Sequence, residues 1–265
     1  MKYNIIIFIL IILISFILLY SCNKNIDKFF IKDHNDIIFY SYGTDYIKFN
    51  LLMKSAKKNN INIYIDGIGK KWNGFHDKLI SFNKFIKNID DNKIVMCLDA
   101  YDTIIFDNSE NIKNKFLKFK KPIVISAEIY CWPDGGIWEH YPKNNKKFKY
   151  VNAGSYMGYA KDLKIMLKSY EKYNFNCPTY LNKKHDVHDD QRCLTTYYLN
   201  NTDKCALDYN QSIWSLANGT KNNDYTFVSY NKFFNNITNI NSSIFHYNSS
   251  QSWYKNTIDN LYKLF

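Results

Sequence analysis

Residues 93–102, KIVMCLDAYD, constrain the fold more than any other stretch of the chain. Ile94 through Leu98 are apolar without alternation, the pattern of a short strand buried on both faces. Such a strand belongs inside a sheet covered by helices on both sides. The apolar run then gives way to Asp99, Ala100, Tyr101 and Asp102. In open α/β sheets ligands bind outside the carboxyl ends of the strands, which is where this acidic pair falls. Asp99 and Asp102 can turn their oxygens toward one hard divalent cation, which in turn holds phosphate oxygens. The same residues also suit a plain strand end followed by a cap, because Asp is common in turns.

The flanking sequence supplies the rest of an α/β pattern. Residues 36–41 (DIIFYS) and 61–65 (INIYI) read as strands. Between them a helix carries Ile47, Leu51, Leu52 and Ser55, with Thr44 or Asp45 placed to cap it. The loop GIGKKWNGFHDK that follows is not a P-loop, since no GK[ST] ends it. A helix over 77–88 leads into the 94–98 strand, and another over 109–119 follows with Ser109 at its N-cap. Residues 122–127 (PIVISA) form a further apolar strand that also ends in an acid, Glu128, before Ile129-Tyr130-Cys131-Trp132-Pro133. Two neighbouring strands ending in carboxylates open to one crevice. Residues 148–160 are strand-like, and Asn152 within them either bonds a ligand or sets a turn. A helix is expected over 161–173. In HDVHDDQ, His185, Asp186, His188, Asp189 and Asp190 resemble a metal cluster. Asp189 and Asp190 equally suit the acidic first turn of a helix over 190–199. Short strands or turns are expected at 206–209 and 212–216 around Asp208, and a strand over 243–246 brings His246 and Asn248 near the end.

At 265 residues the chain can bury a full core, with 23 Tyr and 19 Phe for packing. Its formal charge of +11 is spread along the sequence and is almost all lysine, Arg192 being the only arginine. Readers of bases and phosphates favour the guanidinium fork, so nucleic acid is not an expected partner. The charge instead suits attraction of an anionic sugar-nucleotide. The six cysteines, Cys22, Cys97, Cys131, Cys177, Cys193 and Cys205, have no CxxC spacing, which argues against structural zinc. Their pairing cannot be read from the sequence. Residues 5–20 are almost unbroken apolar, longer than the usual signal-peptide core of about 7–15 residues, and no small-x-small cleavage site follows. The expectation is a signal anchor over 1–22, a polar stem over 23–35, and a globular domain over 36–265 lying outside the cytosol. Sequons at Asn200, Asn218, Asn236 and Asn241 fit that setting, although an Asn-rich chain produces them by chance.

Taken in order, LDAYD, ISAEIYCWPD, YP, YVNAGSYMGYA, DDQ and a late HYN resemble the glycosyltransferase domain of the collagen lysyl hydroxylases and the procollagen galactosyltransferases. The resemblance spans roughly residues 37–248. It implies a GT-A-like mixed sheet flanked by helices that binds a UDP-sugar through Mn²⁺. It assigns Asp99, Asp102 and His246 to the metal and Tyr101 to stacking on the uracil. Asn248 lies beside the metal histidine, and Lys78 falls near the sugar-nucleotide, although Phe75 and His76 replace the glycines that precede it in the family. Glu128, Trp132 and Asn152 match positions lining the sugar and acceptor side. Asp189 and Asp190 match the end of the family's acidic run, interrupted here by Val187 and His188.

The implied activity is transfer of glucose or galactose from a UDP-hexose to an acceptor hydroxyl. Hydroxylysine or galactosyl-hydroxylysine of a collagen-like protein competes with a glycan acceptor. Glu128, Asp189 and Asp190 are the candidates for the base that an inverting transfer needs. The domain is expected to be single-pass and membrane-anchored, with its catalytic part lumenal in the ER or Golgi or otherwise extracytoplasmic. A metal-dependent sugar-nucleotide hydrolase and a non-catalytic binding domain are the alternatives.

Overall fold

The structure is a computed structural model that describes residues 37–181, 189–248 and 253–265, all within the compact unit Asp36–Phe265. The expected anchor and stem, and His185, Asp186 and His188, lie outside the described residues. Among the described residues no helix is long and apolar enough to cross a membrane.

Six strands form the main sheet: β1 (Ile37–Tyr42), β2 (Ile63–Asp66), β3 (Ile94–Asp99), β5 (Ile123–Glu128), β6 (Tyr150–Tyr159) and β7 (Cys205–Leu207). Their order is β2-β1-β3-β6-β5-β7. β2, β1 and β3 run parallel, β6 runs antiparallel to both of its neighbours, and β7 is parallel to β5. β3 is buried along its apolar run, as its composition requires. Alternate residues serve opposite faces. Val95 and Cys97 pack with Tyr40, Phe82, Tyr156 and Leu163. Ile94, Met96 and Leu98 pack with Phe39, Phe116, Trp214 and Ile244.

The helices on these faces are α1 (Asn50–Lys58), α2 (His76–Ile86), α3 (Ser109–Leu117), α4 (Ala160–Glu171) and α5 (Asp190–Asn200). Two caps differ from expectation. Asn108, not Ser109, caps α3, its side chain accepting from the Asn111 N–H. Neither Thr44 nor Asp45 caps α1, which begins after Phe49 without a side-chain cap. Asp45 instead accepts from the Ile47 N–H in the turn ahead of the helix.

A smaller sheet of β4 (Thr103–Ile105), β12 (Ile244–His246) and β8 (Trp214–Leu216) lies in the order β4-β12-β8. It pairs His246 with Thr103, the residue after Asp102. A third sheet, β9 (Tyr225–Ser229), β10 (Lys232–Asn235) and β11 (Ile240–Ser242), packs through Phe233 with Phe106 and Phe245. A last helix, α6 (Trp253–Leu261), follows.

The acid-ended strands β3 and β5 are not neighbours, because β6 separates them. Both run antiparallel to β6, so they are parallel to each other and their acids still reach the same edge of the sheet.

Candidate active site

At that edge lies a cavity of about 470 Å³. Every site residue expected from the sequence lines it except Tyr101. Asp99 ends β3, Asp102 lies in the turn before β4, and His246 ends β12. The pairing of β12 with β4, extended by a Tyr247 N–H donated to the Asp102 carbonyl, carries the histidine to the acids.

One ligand atom from each of Asp99, Asp102 and His246 lies within 4.8 Å of the others. His246 Nε2 is 3.2 Å from Asp102 Oδ2 and 3.7 Å from Asp99 Oδ2. These contacts allow charge attraction, yet neither ring nitrogen of His246 makes a hydrogen bond although its side chain is only 2% exposed. Burial works against the imidazolium, but Asp102 outweighs it and raises the His246 pKa. Burial likewise opposes the Asp102 carboxylate, which His246 nevertheless holds below its ordinary range. Two carboxylates and a buried imidazole that converge in this way form the donor set of a divalent cation. The floor agrees. A Cβ at Gly154 would overlap the His246 ring and stand 2.8 Å from Asp99 Oδ2, so only glycine leaves this space open. The residues present fit a divalent cation.

Beside the three ligands Lys78 rises from α2, buried, with Nζ 2.7 Å from Asp99 Oδ1 and 2.6 Å from Asp190 Oδ2. It also donates to the Ala153 carbonyl at 3.1 Å. Burial disfavours its charge, but Asp190 and Asp99 more than offset that and hold its pKa well above the ordinary lysine value. Burial raises Asp190, with Lys78 opposing. Asp189 is the N-cap of α5, accepting from the Gln191 N–H at 2.8 Å. Burial and the adjacent Asp190 raise its pKa. Both acids therefore stand at the start of α5 and both line the cavity.

Glu128 sits in a cage of neutral amides. Its Oε1 accepts from Gln191 at 2.7 Å and Asn152 at 3.4 Å, and its Oε2 from Asn218 at 3.5 Å. Burial pushes its pKa up despite these donors. Asn152 Oδ1 accepts from the Gly154 N–H, and Asn248 Oδ1 from the Asn218 N–H. Trp132 stands on the rim with 62% of its surface exposed. Tyr101 shares the turn between Asp99 and Asp102 but lies outside the cavity wall. Its hydroxyl accepts from the N–H groups of Thr44 at 2.7 Å and Asp45 at 3.0 Å.

Sequence reasoning includes Gln191 in the DDQ motif and Asn218 as a sequon but gives neither a role in the site. Gln191 ties three segments together: its Nε2 donates to Glu128 and to the Trp132 carbonyl, and its Oε1 accepts from the Ala153 N–H. Its place directly after Asp190 at a helix start was the available signal. Asn218 was visible only as a sequon, which gives no hint of a contact with Glu128.

Three comparisons bear on this arrangement. The chain is 33% identical over 196 residues to the uncharacterized protein R699 of Acanthamoeba polyphaga mimivirus, covering 70% of this chain and 40% of that protein. It is 29% identical over 178 residues to the multifunctional procollagen lysine hydroxylase and glycosyltransferase of Caenorhabditis elegans, covering 63% and 22%. The chain thus spans less than half the length of either relative. The fold is similar to that of the galactosyltransferase LgtC, solved with donor and acceptor sugar analogs, at a TM-score of 0.52 and 12% identity over 86% of this chain and 94% of that one. Residues 43–263, which carry the whole cavity wall, match the PLOD GT domain family, and the chain belongs to that family of glycosyltransferase domains.

Proposed function

We propose that the protein transfers a hexose, glucose or galactose, from a UDP-sugar to an acceptor hydroxyl, with hydroxylysine or galactosyl-hydroxylysine of a collagen-like protein as the acceptor. The observation that carries this reading is the Asp99–Asp102–His246 cluster with its buried imidazole, set beside Lys78 at the carboxyl ends of β3 and β5. Two carboxylates and one imidazole suit Mn²⁺. Held there, the ion supplies charge neutralisation for the departing diphosphate.

The chain's own groups do the remaining work. Lys78 keeps Asp99 and Asp190 at fixed separation and adds a positive charge to the phosphate side. The Asp189 and Asp190 pKa values are raised, but Asp190 is ion-paired with Lys78 and Asp189 caps α5, so both carboxylates are committed to contacts that hold the fold. Glu128 contacts only neutral donors and its pKa is raised, which moves it toward the range useful for general-base work. It is the favoured acceptor of the hydroxyl proton in an inverting transfer. Trp132 offers an exposed flat face to a sugar ring, Asn152 and Asn248 orient polar groups in the crevice, and the Tyr101 ring stacks on the uracil.

The deciding measurement is UDP release by the purified protein with UDP-glucose and UDP-galactose, with and without Mn²⁺ and a deglycosylated collagen. Release should require Mn²⁺ and rise with the acceptor, and Asp99→Ala or Asp102→Ala should abolish it while the circular dichroism spectrum is retained. Undiminished turnover in either variant defeats the site assignment. Equal release with and without acceptor identifies a hydrolase instead.

The apolar run 5–20 supports a signal anchor that leaves the domain lumenal, and the disulfide between Cys177 and Cys193 supports an oxidising compartment. Protease protection of the domain in sealed microsomes tests this placement, and digestion without detergent would refute it.

A further inference from the structure

Consecutive residues at the start of α5 hold different parts of the molecule. Asp190 meets Lys78, Gln191 meets Glu128 and the Trp132 carbonyl, Arg192 meets Asp134, and Cys193 is joined to Cys177. Of these, Arg192 has no part in the chemistry described above. Its Nε lies 2.9 Å from Asp134 Oδ2 and a terminal nitrogen 3.3 Å from Asp134 Oδ1, a two-pronged pair with side chains only 4% and 9% exposed. Lysine and arginine together number 35, yet this is the chain's only arginine. A planar fork is what bidentate pairing with a carboxylate needs, and a lysine ammonium lacks that geometry.

Asp134 closes a short turn that carries the rim tryptophan. Cys131 Sγ donates to the Asp134 carbonyl, and the Trp132 carbonyl accepts from Gln191 Nε2 at 2.9 Å. The Trp132 side chain is mostly exposed, so packing around its ring does little to fix it, and its place is set by the backbone of this turn together with a side-chain hydrogen bond to Asp189. Gln191 holds that backbone and Arg192 holds the Asp134 carboxylate from adjacent positions of one helix, the helix whose start also supplies Asp189 and Asp190 to the cavity.

We infer that Arg192 is a positioning residue for the acceptor: through its buried pair with Asp134 it fixes the turn that presents Trp132 to an acceptor bearing a pyranose ring. The inference rests on the transferase reading and on Trp132 as the acceptor-side face. Loss of the fork lets the turn shift while the metal cluster and Lys78, which lie on β3, the β3–β4 turn, β12 and α2, keep their places. Small displacements of a binding group are costly to a positioned reaction.

The test uses the full chain with a collagen peptide carrying galactosyl-hydroxylysine, comparing the unmodified protein, Arg192→Lys and Trp132→Ala. Acceptor-independent UDP release reports the donor side, and acceptor KM with calorimetric peptide affinity reports the acceptor side. Arg192→Lys should raise acceptor KM and weaken peptide binding about tenfold, with UDP release and donor KM within about twofold. Combined with Trp132→Ala, it should add nothing further. If Arg192→Lys does not fold, Asp134→Leu/Arg192→Met removes both charges of the pair together and is expected to show the same split. An unchanged acceptor KM, a parallel loss of donor and acceptor functions, or additivity with Trp132→Ala overturns the inference. A protein that binds the peptide but neither transfers nor releases UDP refutes the transferase reading alone, while one that does not bind it refutes both.

Discussion

Gly154 gives the most direct check on the metal cluster. It sits in β6 below His246, and an added Cβ would overlap the imidazole and stand 2.8 Å from Asp99 Oδ2. The ring is buried and held by the β12–β4 pairing, so it has little room to retreat. Overpacking of this kind costs about 1–3 kcal/mol. At about 2–4 °C per kcal/mol for a domain of this size, Gly154→Ala should lower Tm by roughly 2–12 °C. The larger consequence is geometric, since moving one ligand of a three-ligand site should weaken metal binding about 10–100-fold. Gly158→Ala is the internal control. It lies on the same strand, where its Cβ would stand 2.6 Å from the Pro122 carbonyl, far from the acids. It should lose stability and keep its metal affinity. Calorimetric titration with Mn²⁺ and thermal denaturation by circular dichroism separate the two effects. A folded Gly154→Ala protein with Mn²⁺ affinity within twofold of the unmodified chain would refute the reasoning.

Other outcomes follow from buried charge and hydrogen bonding. Lys78→Met leaves the buried Asp190, and the part-exposed Asp99 beside it, without their cation and should cost about 3–5 kcal/mol in urea denaturation, with no loss expected only if the pair were solvent-screened. The Glu128 pKa is raised in the fold, so its stabilising share is present at acid pH and lost as pH rises through that raised value. The stability of the unmodified protein should therefore fall relative to Glu128→Gln as pH climbs from 4 to 7.5, and a difference independent of pH would exclude the shift. Asp208 accepts from Ser212 N and Oγ, Ile213 N and Trp214 N, so Asp208→Ala strands several donors and should cost about 3–6 kcal/mol. Reducing the Cys177–Cys193 disulfide should lower stability by about 3 kcal/mol, read from Tm with and without dithiothreitol.

Much of the core of the site was legible because it is local in sequence. An apolar strand that stops at two acids places Asp99 and Asp102 at a sheet edge without knowledge of any other element, and the same logic places Glu128. The strand order was less legible. Two acid-ended strands suggest adjacency, but β6 lies between them, and an inserted antiparallel strand leaves no mark on its neighbours' composition. Caps were misplaced by one residue at α3 and misassigned at α1, since Ser, Asn and Asp all suit a helix start and the backbone chooses among them. Gln191 and Asn218 carry no role in the sequence reading because an amide becomes functional only through the groups that surround it.

What the sequence by itself determined is the chemistry available: paired acids after a buried strand, a late histidine, a lysine ahead of them, and one arginine in a lysine-rich chain. Tertiary structure alone decided which of these meet. His246 reaches Asp102 because β12 pairs with β4, and Lys78 meets Asp190 because α2 and α5 pack on the same face of the sheet. The physical reason is that carboxylate, imidazole and ammonium acquire a role only from distance and burial. Long-range strand pairing sets both, and the local composition of a strand does not name its partner.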